Sequence, residues 1–192
     1  MKRYLIDNKG AGIIEIAITM VIFLILIGML YGAISSNRVT VNEAQDKVKL
    51  QQEARKTLDR LEKELRASRN SLVTISPTND SVTFQVPVDW DSDGDVVDAI
   101  GAVEWGAEGN LNWTIQYLLG GINNQQILKR VFNTAGIQQG TDTVIANDIG
   151  SFQITRQIAQ PNRIIINLTA QRTTLDQRTL SFNAGTEILL RN

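Results

Sequence analysis

The feature that most constrains this chain is an uninterrupted apolar stretch close to its N-terminus. From Ile16 to Ile34 there is no charged residue, and Thr19 is the only polar side chain before Tyr31. A helix of these nineteen residues would rise about 28 Å, close to the thickness of the hydrocarbon core of a bilayer. The stretch contains no proline. We therefore predict a helix that spans a membrane once.

One ionisable residue lies at the head of this stretch. Glu15 directly precedes Ile16 and would lose much of its hydration at that depth in a bilayer. Ionisable groups inside a membrane are costly, and they are usually kept because they have a partner and a function. A plain membrane anchor does not need such a residue, so Glu15 is a candidate functional residue.

The first ten residues, 1–10, form a short segment with a net positive charge. Its charged residues are Lys2, Arg3, Asp7 and Lys9. The positive-inside rule leaves this end in the cytoplasm and places the rest of the chain outside. A cleavable secretory signal would have an apolar core of about 7–15 residues followed by a small-x-small site. The longer apolar stretch here ends without that pattern, so the predicted processing point is Gly10.

The order of these residues resembles the class III signal of type IV prepilins, in which a basic leader ends in Gly and a glutamate stands five residues further on. Gly10 matches the residue before the scissile bond, Ala11 the new N-terminus, and Glu15 the family's glutamate. The resemblance implies cleavage and N-methylation by a prepilin peptidase on the cytoplasmic side. It also implies that the apolar helix is retained for filament assembly. An uncleaved signal anchor is the alternative.

The composition excludes several classes of function. The 192 residues include no cysteine and no histidine, so Ser-His and Cys-His nucleophiles and zinc sites built on His or Cys are excluded. The formal net charge is −1, which provides no basic field for nucleic acid. We therefore expect no nucleic-acid partner. We also expect a role in assembly and not that of an enzyme.

The residues after the apolar stretch continue the helical pattern. The range 38–69 contains neither Gly nor Pro. An apolar stripe recurs there at helical period, formed by Leu50, Ala54, Leu58, Leu61 and Leu65. Three acid-first pairs at i, i+4 support the helix, namely Glu43–Lys47, Asp59–Lys63 and Glu62–Arg66. We predict one helix over 13–68, with a transmembrane and assembly half at 11–37 and a periplasmic half at 38–70.

Beyond Asn70 the apolar period changes to two, which is typical of strands. The predicted strands are Ser71–Ser76, Ser81–Val88, Asn112–Leu119, Gln126–Phe132, Ser151–Ile158, Arg163–Ala170, Arg178–Phe182 and Thr186–Arg191. Turns are predicted at 120–124, at 160–162 and at Asn183-Ala184-Gly185. The predicted fold is α+β, with an antiparallel β domain at 71–192 that buries one face against the apolar stripe of the helix.

Later segments resemble one branch of the pilin family. The range 52–67 looks like the helix end of PilW-type minor pilins and of the minor pseudopilin J of type II secretion. The predicted hairpin at 115–130, the range 144–152 and the ending at 190–192 are similar to the same branch. The resemblance implies a pilin-like fold. It also implies a low-abundance subunit of a type IV pilus or of a type II secretion pseudopilus.

The most unusual local stretch opens a predicted loop insert at 89–110. Carboxylates alternate along it and are followed by Gly94, which reproduces the D-x-D-x-D-G half of a calcium loop. Hard carboxylate oxygens suit Ca²⁺, and five crowded aspartates would otherwise repel one another. The sequence predicts a structural Ca²⁺ held by Asp89, Asp91, Asp93, Asp95 and Asp98.

The calcium pattern is incomplete at its end. The twelfth position holds Ile100, where an EF-hand has a bidentate Glu, so Asp98, Glu104 or a backbone carbonyl would have to complete the shell. The alternative is a solvated acidic turn, since Asp and Gly favour turns. Three tryptophans flank the insert, and they could form either a contact surface or part of the core. We expect core packing, because it is the commoner fate of Trp. They are Trp90, Trp105 and Trp113.

Together these features favour a minor pilin or pseudopilin subunit of the bacterial inner membrane, with a single span and the C-terminal domain outside the cytoplasm, later moved into a pilus or pseudopilus. The expected partners are other pilin or pseudopilin subunits, the prepilin peptidase, the inner-membrane assembly platform and the lipid bilayer. Glu15 would pair with the amine of Ala11 on a neighbouring subunit and set the axial register. Two alternatives are a membrane-anchored periplasmic binding module stabilised by calcium, and an anchored hydrolase using paired aspartates, for which no nucleophile or base is evident.

Overall fold

The computed structural model describes residues 11–174 and 177–191. The chain divides into two compact units, one up to Gln45 and one from Asp46 onward. One long helix, α1, spans Ala11–Ala67 and contributes to both units. The predicted helix over 13–68 is confirmed, with differences of two residues or fewer at its ends. The predicted leader, including Gly10, lies outside the described residues.

The first unit contains the apolar part of α1. Every described side chain from Gly12 to Arg38 is exposed, although most of these side chains are apolar. A helix that is hydrophobic all round is normally covered by a protein core or by a membrane. This helix is long and apolar enough to cross a membrane.

In the second unit the apolar stripe of α1 forms one wall of the core. All five stripe residues are at most 5% exposed, which confirms the prediction: Leu50, Ala54, Leu58, Leu61 and Leu65. The predicted pair of Glu62 and Arg66 forms with an N···O distance of 2.7 Å. The N–H of Ser68 donates to the carbonyl of Leu65 at 3.0 Å and tightens the last turn. A 3₁₀ turn at Asn70–Leu72 then leads into the strands.

The described part of the chain contains eleven strands after the helix. They are β1 (Thr74–Ile75), β2 (Ser81–Phe84), β3 (Val86–Pro87), β4 (Trp105–Ala107), β5 (Asn110–Leu111), β6 (Thr114–Gly120), β7 (Gln126–Phe132), β8 (Gln138–Ala146), β9 (Ile149–Gln157), β10 (Gln160–Thr173) and β11 (Thr179–Leu189). All pairings between these strands are antiparallel. One long helix followed by antiparallel sheets is the α+β arrangement that the sequence predicts.

The strands form three sheets. The largest has the order β1-β2-β6-β7-β8, the second has the order β11-β10-β9, and a small third sheet has the order β3-β4-β5. Residues of the two larger sheets share one buried core with the stripe of α1. In that core the rings of Phe84 and Tyr117 stack with centroids 5.9 Å apart. The acidic part of the predicted insert connects β3 to β4, and the rest of the insert contains β4 and the first residue of β5.

The predicted turn at Asn183-Ala184-Gly185 is wrong. β11 continues through these residues, with Ala184 opposite Leu168 and Gly185 opposite Asn167. The side chain of Asn167 covers Gly185 so closely that a Cβ there would lie 2.8 Å from its Oδ1. A small residue is therefore required at Gly185. The pairing with the long β10 keeps these three residues extended, although their composition is typical of a turn.

Other predicted strand boundaries also differ. The predicted strand Ser81–Val88 is divided between β2 and β3, which belong to different sheets, and Ser71–Ser76 contains only the two residues of β1. The predicted turn at 160–162 lies inside β10, where a register shift follows Gln160. β8 lies outside the predicted strands, because only Ala146 of its nine residues is buried and Gly140, at φ +72°, interrupts its pattern.

Candidate functional site

The first candidate site is the start of α1. Ala11 is the first residue of the helix and Glu15 lies about one turn further along. Glu15 is the only charged residue among 11–37. The hydroxyl of Thr19 donates to the backbone carbonyl of Glu15 at 2.7 Å, so it does not use the carboxylate. Among the described residues, the carboxylate of Glu15 has no hydrogen-bond or ion-pair partner.

The surface beside Glu15 is open to another helix. Gly12 lies three residues before Glu15, and a Cβ built on it would meet no atom within 4 Å. Gly12, Glu15 and Thr19 line a shallow depression on the helix surface. Small residues at such positions allow the backbones of two membrane helices to approach closely. The start of α1 therefore combines a carboxylate with room for a neighbour.

The second candidate site is the acidic loop between β3 and β4. Asp89, Asp91 and Asp93 place carboxylate oxygens within 4.8 Å of one another. Oxygen ligands lie 2.3–2.6 Å from Ca²⁺, so two ligands on opposite sides of one ion are separated by about 4.6–5.2 Å. The spacing of the three aspartates is therefore compatible with one shared Ca²⁺.

Local hydrogen bonds give this loop its shape. The N–H of Gly94 donates to Oδ2 of Asp89 at 3.1 Å. The N–H groups of Asp93 and Asp95 each donate to the aspartate two residues earlier, at 3.4 and 3.0 Å. Gly94 has a φ of +97°, a conformation that favours glycine. The loop is thus built from Asx turns that the D-x-D-x-D-G sequence itself encodes.

The other two aspartates of the predicted calcium set have different roles. Oδ1 of Asp95 accepts the N–H of Val97 at 2.6 Å. Oδ1 of Asp98 accepts the N–H groups of Ile100 and Ala102 at 3.0 and 2.9 Å. Neither residue belongs to the group of oxygens within 4.8 Å. Of the five aspartates predicted to bind Ca²⁺, the structure brings three together, namely Asp89, Asp91 and Asp93.

Glu104 lies at the base of the loop and is only 4% exposed. Its Oε2 accepts the N–H of Trp90 at 3.2 Å, so the carboxylate reaches the segment that carries the aspartates. Its backbone joins both arms of the loop: the N–H of Val88 donates to its carbonyl at 2.8 Å, and its own N–H donates to the carbonyl of Val96 at 2.9 Å. Oε1 of Glu104 and Oδ1 of Asp89 are buried without a hydrogen-bond partner.

The electrostatic field of the loop is negative. Residues 88–105 include six acidic side chains and no Lys or Arg. Within 11–174 and 177–191, none of Asp89, Asp91, Asp93 and Glu104 forms an ion pair. Carboxylates concentrated without a basic partner favour the binding of a cation.

The tryptophans around the insert differ in burial. Trp113 packs against the core, as expected, and Trp105 is half-buried in β4. Trp90 is 52% exposed, so the expectation of core packing is wrong for this residue. The reason is its position in a loop whose residues 90–96 are all exposed.

One polar cluster of the second unit has no counterpart in the sequence analysis. The Arg172 guanidinium donates to Oδ2 of Asp148 at 2.9 Å through Nε, and to Oδ1 of Asp46 at 3.5 Å through Nη1. Hydrogen bonding to Asp148 raises the pKa of Arg172 above its ordinary value. The cluster ties the helix to the end of the β9-β10-β11 sheet. No local pattern indicates it, because the residues are far apart in the sequence.

Comparison of the chain with models of protein families, with curated proteins and with solved structures finds no match. The described residues define a protein with one apolar helix long enough to cross a membrane, a lone carboxylate near the start of that helix, and an α+β unit with an acidic loop. These features carry the functional argument.

Proposed function

We propose that this chain is a minor pilin or pseudopilin subunit, cleaved after Gly10, whose apolar helix packs against those of neighbouring subunits in a filament. The observation that carries the proposal is Glu15. It is the only charge among 11–37, it lies on a helix whose side chains are exposed from Gly12 to Arg38, and its carboxylate has no partner among the described residues.

The energetics of a membrane favour a partner for Glu15 on another subunit. A charged side chain at the centre of a bilayer costs roughly 2.5–3.5 kcal/mol on insertion scales, which is an upper bound for Glu15 at the head of the apolar stretch. The amine of Ala11 on an adjacent chain, freed by cleavage, would supply both an opposite charge and hydrogen-bond donors. Because the pair forms only when two helices are in one register, it would select the axial position of each subunit.

The proposed location follows from the charges that flank the helix. By the positive-inside rule, the proposed basic leader stays in the cytoplasm and the α+β unit lies on the other side of the membrane. The membrane that we propose is the inner membrane of a bacterium. The prepilin peptidase, the assembly platform and other pilin or pseudopilin subunits are the proposed partners. The filament is a type IV pilus or a type II secretion pseudopilus, since both use the same features of the N-terminal helix.

The test replaces Glu15 by alanine and uses Ser35→Ala as the control, because Ser35 is an exposed polar residue of the same helix outside the depression that Glu15 lines. We expect Glu15→Ala to be cleaved and stable in the membrane. Its amount in sheared pili, or in cross-linked pseudopilin adducts, should fall at least about tenfold, since the charge pair is lost. Ser35→Ala should assemble like the parent chain. Normal assembly of Glu15→Ala would overturn the pairing.

A further inference from the structure

We propose that the outer edge of β11 binds an extended segment of another polypeptide chain, which adds to the β11-β10-β9 sheet as a fourth strand. β11 runs over Thr179–Leu189 and ends this sheet on one side. It lies in the second unit, away from the Glu15 site. The occupant is a segment of a different subunit. This choice rests on the proposed function, because a minor subunit meets other subunits more often than its own copies.

The hydrogen bonds at the two ends of the β10-β11 pair show which backbone groups of β11 point outward. The N–H of Leu190 donates to the carbonyl of Asn162, and the N–H of Thr174 donates to the carbonyl of Arg178, at 2.8 Å each. Both pairs are in register with the eleven pairs that lie between them. Hydrogen-bonded and non-hydrogen-bonded pairs alternate in an antiparallel ladder. The backbone groups of the even-numbered residues of β11 therefore face β10, and those of the odd-numbered residues face away.

The outward backbone groups are free within the described part of the chain. None of them is hydrogen-bonded to another described element. They repeat every second residue, which is about 6.8 Å at a rise of 3.4 Å per residue, and this is the repeat of another extended backbone. They belong to six residues with exposed side chains: Thr179, Ser181, Asn183, Gly185, Glu187 and Leu189.

The other edges of the described sheets are short, irregular or already used. At the edge of β9, the N–H of Ile149 donates to the carbonyl of Gln125 at 3.0 Å, and that of Ile154 to the carbonyl of Asn79 at 2.8 Å. The register of β8 shifts twice, and β1 has two residues. β11 has no proline and no bulge, and Glu187 is its only charged residue. Natural proteins usually protect long edges with such devices, so this edge indicates a strand partner.

The side chains of β11 define the kind of sequence that the added strand would carry. The even-numbered residues face the core, where Leu180 and Ile188 are buried but Phe182, Ala184 and Thr186 are only half-buried. The core is thus incompletely covered along the middle of this edge. A strand with apolar residues at alternate positions would cover it, while its other residues would face solvent. Main-chain hydrogen bonds would supply the affinity and the apolar row the specificity.

The test uses a fluorescein-labelled peptide with the β10 sequence, residues 162–173, and the full-length protein in detergent. This probe is suitable because its apolar row already complements that of β11 within the sheet, with Ile164 opposite Ile188 and Leu168 opposite Ala184. Fluorescence anisotropy measures binding. We expect binding that saturates at one peptide per chain.

Two N-methylated peptides test the hydrogen-bond ladder without any change to the protein. In the register above, the odd-numbered residues of the peptide direct their N–H groups to the free edge of β11. N-methylation at its residues 165, 167 and 169 should weaken binding at least about tenfold, because three hydrogen bonds are lost. N-methylation at its residues 164, 166 and 168 is the matched control. It should have a smaller effect, since those N–H groups face away.

Two substitutions at one residue test the edge from the side of the protein. Asn183→Pro removes an outward N–H and leaves the ladder with β10 complete, which an edge strand tolerates. It should weaken peptide binding at least about tenfold. Asn183→Ala changes the same side chain but keeps the N–H, so it should bind the peptide like the parent chain. If Asn183→Pro fails to fold, the two N-methylated peptides decide the question alone.

Each outcome decides the proposal. Weaker binding with Asn183→Pro and with the first N-methylated peptide, but not with their controls, supports strand addition at this edge. Equal binding of the two N-methylated peptides, or no saturable binding to the parent chain, would overturn it. A parent chain that is dimeric by light scattering and monomeric as Asn183→Pro would instead assign the edge to a second copy. Peptide binding does not involve Glu15, so normal assembly of Glu15→Ala would refute the proposed pairing and leave this result unchanged.

Discussion

Glu15 and Glu104 are carboxylates in surroundings that solvate them poorly. Glu15 lies near the start of α1, directly before the uncharged range 16–34, and Glu104 is buried at the base of a loop of aspartates. Neither carboxylate forms an ion pair within the described residues. For Glu15 the proposed partner is an amine of another subunit. Glu104 differs, because its Oε2 accepts the N–H of Trp90 while its Oε1 is buried without a hydrogen-bond partner.

A third carboxylate, that of Asp142, is paired with Arg130 of the same chain, and this pair predicts how the stability of the fold depends on pH. Nε and Nη2 of Arg130 donate to its two oxygens at 2.8 Å each, and Gln138 donates to Oδ1 at 2.8 Å. The hydrogen bonds from Arg130 lower the pKa of Asp142 below its ordinary value. A lowered folded-state pKa stabilises the fold above the ordinary pKa near 3.8, and this stability is lost as the pH falls through the lowered value.

We therefore expect Asp142→Asn to lower the free energy of unfolding by about 0.5–1 kcal/mol at pH 7, as for a partly exposed pair. The difference should shrink as the pH falls below about 4, because Asp142 of the unfolded parent chain is protonated there first, and it should disappear once the pH lies below the lowered pKa of the folded state. Urea denaturation at several pH values measures both quantities. Asp59→Asn is the control, because Asp59 is exposed and should change stability by less than about 0.5 kcal/mol throughout. A loss that does not depend on pH would contradict the assignment.

At the scale of elements, the helix was predictable and parts of the sheets were not. The range 38–69 has no Gly or Pro and keeps one apolar stripe at helical period, so α1 and its buried face follow from local pattern alone. β11 did not follow from local pattern, because the requirement for Gly185 comes from Asn167 on a neighbouring strand. A contact between strands does not change the apolar period of either strand, so it cannot be predicted from that period.

The same reasoning applies to the acidic loop. The turns in its first half could be predicted from the sequence, because each Asx turn joins residues only two positions apart. The sequence offers Glu104 only as one of three candidates to complete the calcium ligands, beside Asp98 and a backbone carbonyl. Its hydrogen bond to Trp90 spans fourteen positions and depends on the pairing of β3 with β4. The Arg172 cluster depends on even longer connections between the helix and the sheet.

The small sheet beneath the loop yields a prediction of its own. Gly106 lies in β4, opposite Val86 of β3 and Leu111 of β5. A Cβ on Gly106 would lie 2.0 Å from the backbone carbonyl oxygen of Asn110, which cannot move aside as a side chain could. We expect Gly106→Ala to destabilise the unit by about 1–3 kcal/mol or more. Hydrogen exchange of the Val88 and Glu104 amides should become faster.

Gly120→Ala is the matched control for this substitution. A Cβ on Gly120, at the end of β6, would lie 3.1 Å from Cδ1 of Leu128, a side-chain atom that can rotate away. The destabilisation should therefore be smaller than that of Gly106→Ala, and the amides around the loop should exchange at parental rates. Equal effects of the two substitutions would mean that the small sheet is not sensitive to the Asn110 contact.

At the scale of the whole molecule, the two compact units have different sources of stability. The buried core runs from Leu50 to Leu190 and lies entirely in the second unit. The first unit has no described side chain buried before Arg38. Its apolar surface needs a membrane or other helices to cover it. The second unit therefore folds around its own core, whereas the first acquires its environment from outside the chain.

Processing of the N-terminus tests the role of the first unit. If the helix is a prepilin segment, protein isolated from its native membrane should begin at Ala11 and carry one added methyl group, as shown by intact mass and N-terminal peptide sequencing. Gly10→Val should block cleavage, because a branched side chain replaces the small residue before the scissile bond. Gly12→Ala is the control, since a Cβ at Gly12 meets no atom within 4 Å. It should leave cleavage intact. A parent chain that retains 1–10 would instead be an ordinary anchor, and a membrane-bound calcium-stabilised binding module would then account better for the second unit.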